Sequence, residues 1–80
     1  MATTYTAIRL AMEISRCTAV SARHRENATT DANLDNRPLW LASADRHAQR
    51  RCMLATKARQ MPSAEMRSAL DMFGIASILD

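Results

Sequence analysis

Two cysteines, two histidines and a row of basic residues are the side chains in this chain whose types suit chemistry. Neither Cys17 nor Cys52 has a Cys or His three or four residues away, the spacing at which one helix offers two ligands to one ion. A thiol nucleophile also needs a histidine and an orienting group beside it, and no local motif supplies them. Both cysteines are therefore expected to be structural, with Cys17 nearer the polar side of its helix and Cys52 inside an apolar stripe. His24, in Arg23-His24-Arg25, reads as a solvated helix end, and His47 as a boundary residue with one polar partner. The carboxylates are scattered over different elements, so no pair is set for general acid–base work. With one glycine in the chain, Gly74, a glycine-rich phosphate loop is excluded. The expectation is a non-enzymatic protein with no catalytic residue, no cofactor and no metal.

The basic residues carry more weight. Arg46, Arg50 and Lys57 form a ridge on one helix face, with Arg51 beside them and Met53 stranded among them. Such a ridge can follow phosphates, although no aromatic residue is interleaved to stack on bases. A solvated helix face is its plainest reading. An exposed apolar residue on a small domain otherwise marks a contact surface. Arg46, Arg50, Arg51, Met53 and Lys57 are the expected partner-binding residues. A protein partner comes first and nucleic acid second.

These residues sit between Pro38 and Pro62, a stretch of 23 residues without Gly or Pro. Proline is tolerated in the first turn of a helix and tends to end the helix before it, so this stretch predicts a helix over 38–61. Trp40, His47, Leu54 and Met61 recur every seven residues, and Ala44, Ala48, Cys52, Ala55 and Ala58 widen that column, with Leu41. Arg51 and Arg59 intrude on it. A first helix is expected over 4–27, capped by Thr3, Thr4 or Thr6. At 100° per residue its apolar face holds Ala7, Ile8, Ala11, Met12, Ser15, Ala19 and Ala22, with Ile14 at the edge. Residues 28–37, rich in Asn, Asp and Thr, read as the connection, with Asp35 or Asn36 capping the second helix. A third helix is expected over 63–73, with Ser63 as cap, Glu65 in its first turn, Met66, Leu70 and Phe73 facing inward, and Gly74 as left-handed terminator. The apolar tail 75–80 is either one more packed turn or an exposed contact segment.

The architecture expected is all-α, a single domain over 1–80: an antiparallel hairpin of two long helices covered on one side by a short third. Three aromatic residues and few Val and Ile leave little to build a sheet. Hydrophobic residues at 48% exclude a disordered chain, but many are Ala, so the buried apolar area is small. That makes stability dependent on a partner, or on a homodimeric four-helix bundle through the apolar half of the second helix. Two cysteines make no disulfide framework. No 18-residue apolar run and no signal peptide are present, so the expected location is the cytoplasm. Net charge is +3, laid out as +3 over 1–25, −3 over 26–36, +5 over 37–59 and −2 over 60–80.

The opening Met1-Ala2-Thr3-Thr4-Tyr5-Thr6 runs straight into Ala7-Ile8-Arg9-Leu10-Ala11-Met12-Glu13-Ile14-Ser15-Arg16-Cys17. In size and architecture this resembles the very small proteins encoded by phages and mobile elements, and among them the anti-CRISPR proteins. The resemblance implies a non-enzymatic inhibitor in the host-cell cytoplasm, docked on a subunit of an RNA-guided defence complex and blocking DNA access. Many of that class are acidic and imitate DNA. This basic chain instead suggests steric blocking of an acidic or mixed protein surface.

Overall fold

A computed structural model describes residues 2–61 and 63–79. Three α-helices account for most of them: α1 (Ala2–Thr30), α2 (Arg37–Arg59) and α3 (Ser63–Met72), with short 3-10 turns at Leu34–Asn36 and Ala76–Leu79. No strand occurs among the described residues. The fold is the expected all-α hairpin with a short third helix.

Contacts across the hairpin fix its direction. Glu13 meets Arg50, Thr18 meets Arg51, Ser21 meets Ala44, and His24 meets Ser43. The partners of Glu13 and Thr18 are Arg50 and Arg51, and those of Ser21 and His24 are Ala44 and Ser43, so the later part of α1 faces the earlier part of α2 and the two helices are antiparallel. Their facing residues follow a seven-residue repeat. On the first, Ala7, Leu10, Ile14, Cys17, Ser21, His24, Ala28 and Asp31 advance by alternate steps of three and four, and each is buried or half-buried. Trp40, Ala44, His47, Arg51, Leu54, Ala58 and Met61 do the same on the second. This is the spacing of a coiled-coil seam.

The seam corrects the face expected for α1. Met12, Ala19 and Ala22 are exposed, whereas Ile14, Cys17, Ser21 and Ala28 are buried. A wheel drawn at 100° per residue drifts about 20° per heptad from such a seam, and α1 is four heptads long. The cysteines are exchanged as well: Cys17 is buried and Cys52 exposed, because Cys52 lies about 120° around α2 from Trp40, off the seam.

Helix ends also differ from expectation. The first helix is already under way at Ala2, so Thr3, Thr4 and Thr6 lie inside it rather than capping it. It also runs three residues further, because the hydroxyls of Thr29 and Thr30 donate to the Glu26 carbonyl at 2.7 and 3.1 Å. The connection shrinks accordingly. Asn33 caps the 3-10 turn by accepting from the Asp35 amide at 3.0 Å. Asn36 stands at the N-cap of α2 without a side-chain cap bond, and α2 stops at Arg59. Ser63 is the first residue of α3; the break expected at Pro62, the Ser63 side chain expected to cap and Asp80 lie outside what is described.

At the far end, α3 packs across the hairpin and closes the core. Ile14, Met66 and Leu70 are the largest fully buried side chains, set among Ala7, Ala11, Ala55, Ala58 and Ala69. Gly74 ends the helix at φ +69°, a conformation that costs little only without a Cβ. The amides of Gly74 and Ile75 then bond to the carbonyls of Asp71 and Leu70, both at 3.0 Å, the Schellman pattern. The tail beyond is packed: Ile78 is buried, and its carbonyl accepts from Arg59 Nε at 3.1 Å. Ile75–Leu79 is thus part of the core wall, not a free contact segment.

Candidate functional site

Two places on the hairpin gather residues able to do something. The first is the outer face of α2. Arg46, Arg50, Met53 and Lys57 are all exposed there. Arg50, Met53, Leu54 and Lys57 line one shallow groove. Met53 keeps 72% of its surface exposed, with cations on both sides. Arg50 lies 3.8 Å from Glu13 in a solvent-exposed pair, which constrains it weakly.

Arg51 does not belong to this row. It occupies a seam position, is half-buried, and donates from Nε to Thr18 Oγ1 at 2.8 Å. Its aliphatic stem fills the seam while the guanidinium reaches across to α1. Arg59 is likewise tied to the tail. Of the five residues expected to meet a partner, the fold leaves four on one surface.

The second place is the seam near the connection, where the sequence put Trp40 and His47 in one column and made His47 a boundary residue with one polar partner, as found, but did not bring His24 against them. His24, expected to be solvated, is half-buried. Its ring centroid lies 5.2 Å from that of Trp40 and 5.5 Å from that of His47. One residue anchors both histidines: His24 Nδ1 is 2.7 Å from Ser43 Oγ, and His47 Nδ1 donates to the Ser43 carbonyl at 2.9 Å. Below them, Ser21 Oγ donates to the Ala44 carbonyl at 3.0 Å, a buried bond between the helices.

Asp31 closes the cluster from the connection. Its carboxylate accepts from Trp40 Nε1 at 2.9 Å, from the Asn33 amide at 2.9 Å and from Asn36 Nδ2 at 3.0 Å. All three donors favour the ionised form, the indole most, and hold the carboxyl below its usual value. Asp31, Asn33 and Asn36 thereby do for the connection what a single helix cap was expected to do.

The signal that would have found this cluster is the heptad on α1. His24 is fourteen residues after Leu10, and His47 seven after Trp40. Folding the two columns about a short turn brings them together. No group of three or more His, Cys, Asp and Glu side chains able to hold a metal occurs among the described residues. No helix among them is long and apolar enough to cross a membrane. Comparison with protein-family models, curated proteins and solved structures finds no match to this chain.

Proposed function

We propose that the chain is a non-enzymatic binding module that docks on a protein partner through the outer face of α2. The observation that carries this reading is Met53, exposed in one groove with Arg50, Leu54 and Lys57. A partner surface that fits it presents an apolar side chain to Met53 and Leu54, framed by carboxylates for Arg46, Arg50 and Lys57. Cations at such a rim steer encounter, while the apolar centre supplies affinity. The resemblance to small phage-encoded proteins adds a direction: an inhibitor that covers an acidic or mixed surface of an RNA-guided defence complex.

Nucleic acid is the second reading, favoured by the same three cations on one exposed face. The readings separate on Met53. Phosphate binding depends on the cations and weakens steeply with salt, but gains nothing from a methionine. A homodimer has less to work with, since Ala44, Ala55 and Ala58 are already buried within the chain.

The test is capture of partners from nuclease-treated host lysate by the tagged chain, alongside Met53→Asp and the pair Arg50→Glu, Lys57→Glu. The expected result is a protein whose recovery falls at least about tenfold, or 1.4 kcal/mol, in both variants. Recovery of nucleic acid alone from untreated lysate, together with duplex binding at about 50 mM salt that Met53→Asp leaves intact, would overturn it.

A further inference from the structure

The seam cluster is independent of the α2 face and has chemistry of its own. We infer that His24 and His47 form a two-histidine site for a borderline divalent transition-metal ion such as Ni²⁺, Cu²⁺ or Zn²⁺, bound through the Nε2 nitrogens and completed by water.

The first argument is spacing. An imidazole nitrogen binds zinc at about 2.0–2.1 Å, and the ring centroid lies roughly 1.1 Å behind it. Each centroid then stands about 3.2 Å from the ion, and two rings at a tetrahedral or slightly wider angle are about 5.2–5.6 Å apart. The His24 and His47 centroids are 5.5 Å apart. Their interplanar angle of 88° is no obstacle, because two imidazoles on one ion need not be coplanar.

The second argument is the protonation pattern. A carbonyl only accepts, so the 2.9 Å bond to the Ser43 carbonyl places a proton on His47 Nδ1. The neutral ring therefore carries its lone pair on Nε2. His24 Nδ1 faces the Ser43 hydroxyl, which accepts a hydrogen bond from a protonated Nδ1 as readily as it donates one. Histidines that bind metals hold the far nitrogen in this way, with the opposite N–H donated to a fixed oxygen. Neither Nε2 makes a hydrogen bond among the described residues.

The third argument is preorganisation and access. Both rings occupy seam positions on helices already locked by packing, so binding orders little that is not ordered already. Both are also half-exposed, which leaves a route for the ion and its waters. Imidazole nitrogen selects for Zn²⁺, Cu²⁺ and Ni²⁺ and against Mg²⁺ and Ca²⁺. With no third ligand among the described residues and several arginines nearby, the affinity is modest.

Trp40, the one tryptophan, lies against His24 and reports on the site. Titrating the full chain with Ni²⁺ should quench Trp40 emission in a saturable, one-to-one manner, with Zn²⁺ competing and Mg²⁺ without effect. His24→Gln and His47→Gln should each weaken binding at least tenfold, Ser43→Ala by about tenfold, and Cys52→Ser not at all. Circular dichroism checks that each variant is helical. Should one histidine variant fail to fold, electron spin resonance of the Cu²⁺-loaded chain decides by showing coupling to two imidazole nitrogens. Quenching that does not saturate, that survives both histidine substitutions, or that vanishes in Cys52→Ser overturns the site, as does coupling to fewer than two nitrogens.

Discussion

The two ends of the hairpin are made from the same pair of helices and hold together by different means. At the closed end a third helix packs on α1 and the tail after it on α2, and Ile14, Met66 and Leu70 are wholly out of water. At the connection end only two helices are present. The buried side chains there are small: Ser21, Ala28 and Ala44. The larger ones, Trp40, His24 and His47, remain half-exposed and are each tied down by a hydrogen bond. Two helices offer one seam and no second wall, so a large side chain at that seam keeps an edge in water. An apolar residue would gain little there, whereas a polar one can reach a partner and stay wetted. The difference shows in shape as well. The radius of gyration is 14.8 Å, against about 12 Å for a compact chain of this length.

The largest way to break that contrast is at the closed end. Leu70→Ala removes a fully buried side chain from beneath α3 and should cost about 2–5 kcal/mol, read as a lower urea midpoint. Amide exchange should then accelerate at both ends, because the connection end has no core of its own. If only the closed end loosens, the two halves are independent and the contrast is deeper than packing implies.

A smaller effect is expected at Ser21. Ser21→Ala deletes the buried bond to the Ala44 carbonyl and should cost about 1 kcal/mol, since that carbonyl lies inside a helix and keeps its backbone partner. The loss should speed exchange around residues 21–47 and leave α3 unchanged.

The smallest effect concerns Asp31 and needs its sign worked through. The carboxyl is held below its usual value of 3.8, so the folded chain favours the ionised form more than the unfolded chain does. Its contribution is complete above that value and is lost as pH falls through the lower, folded one. The urea midpoint should therefore drop on acidification below about pH 4, and Asp31→Asn should flatten that drop. A titration from pH 6 to 3 compares the two.

Much of the closed end was legible in sequence. Met66, Leu70 and Gly74 read correctly because a short helix shows its face before any drift accumulates, and a lone glycine after an apolar helix has few other uses. The cationic row of α2 was legible too, but Cys52 and Leu41, expected in the apolar stripe, are exposed, and Arg51 belongs to the seam. By position Arg51 intrudes on the apolar column and by type it was grouped with the cationic ridge; position decides, because its long stem lets it sit inward and bond Thr18. The connection end was not legible. Its contacts join residues on separate helices, and finding them required both a seven-residue period on α1 and a turn shorter than the run of Asn, Asp and Thr suggested. His24 read there as solvent-facing, when the two-helix geometry makes it part of the glue.

The unequal placement of the two thiols has a practical consequence. Cys52 is open to solvent, while Cys17 retains 3% of its surface at the junction between the two ends. A thiol reagent should modify Cys52 at once and Cys17 only when the seam parts. In a Cys52→Ser chain the labelling rate of Cys17 becomes a direct count of how often the helices separate at their midpoint, under native conditions and with no engineered reporter.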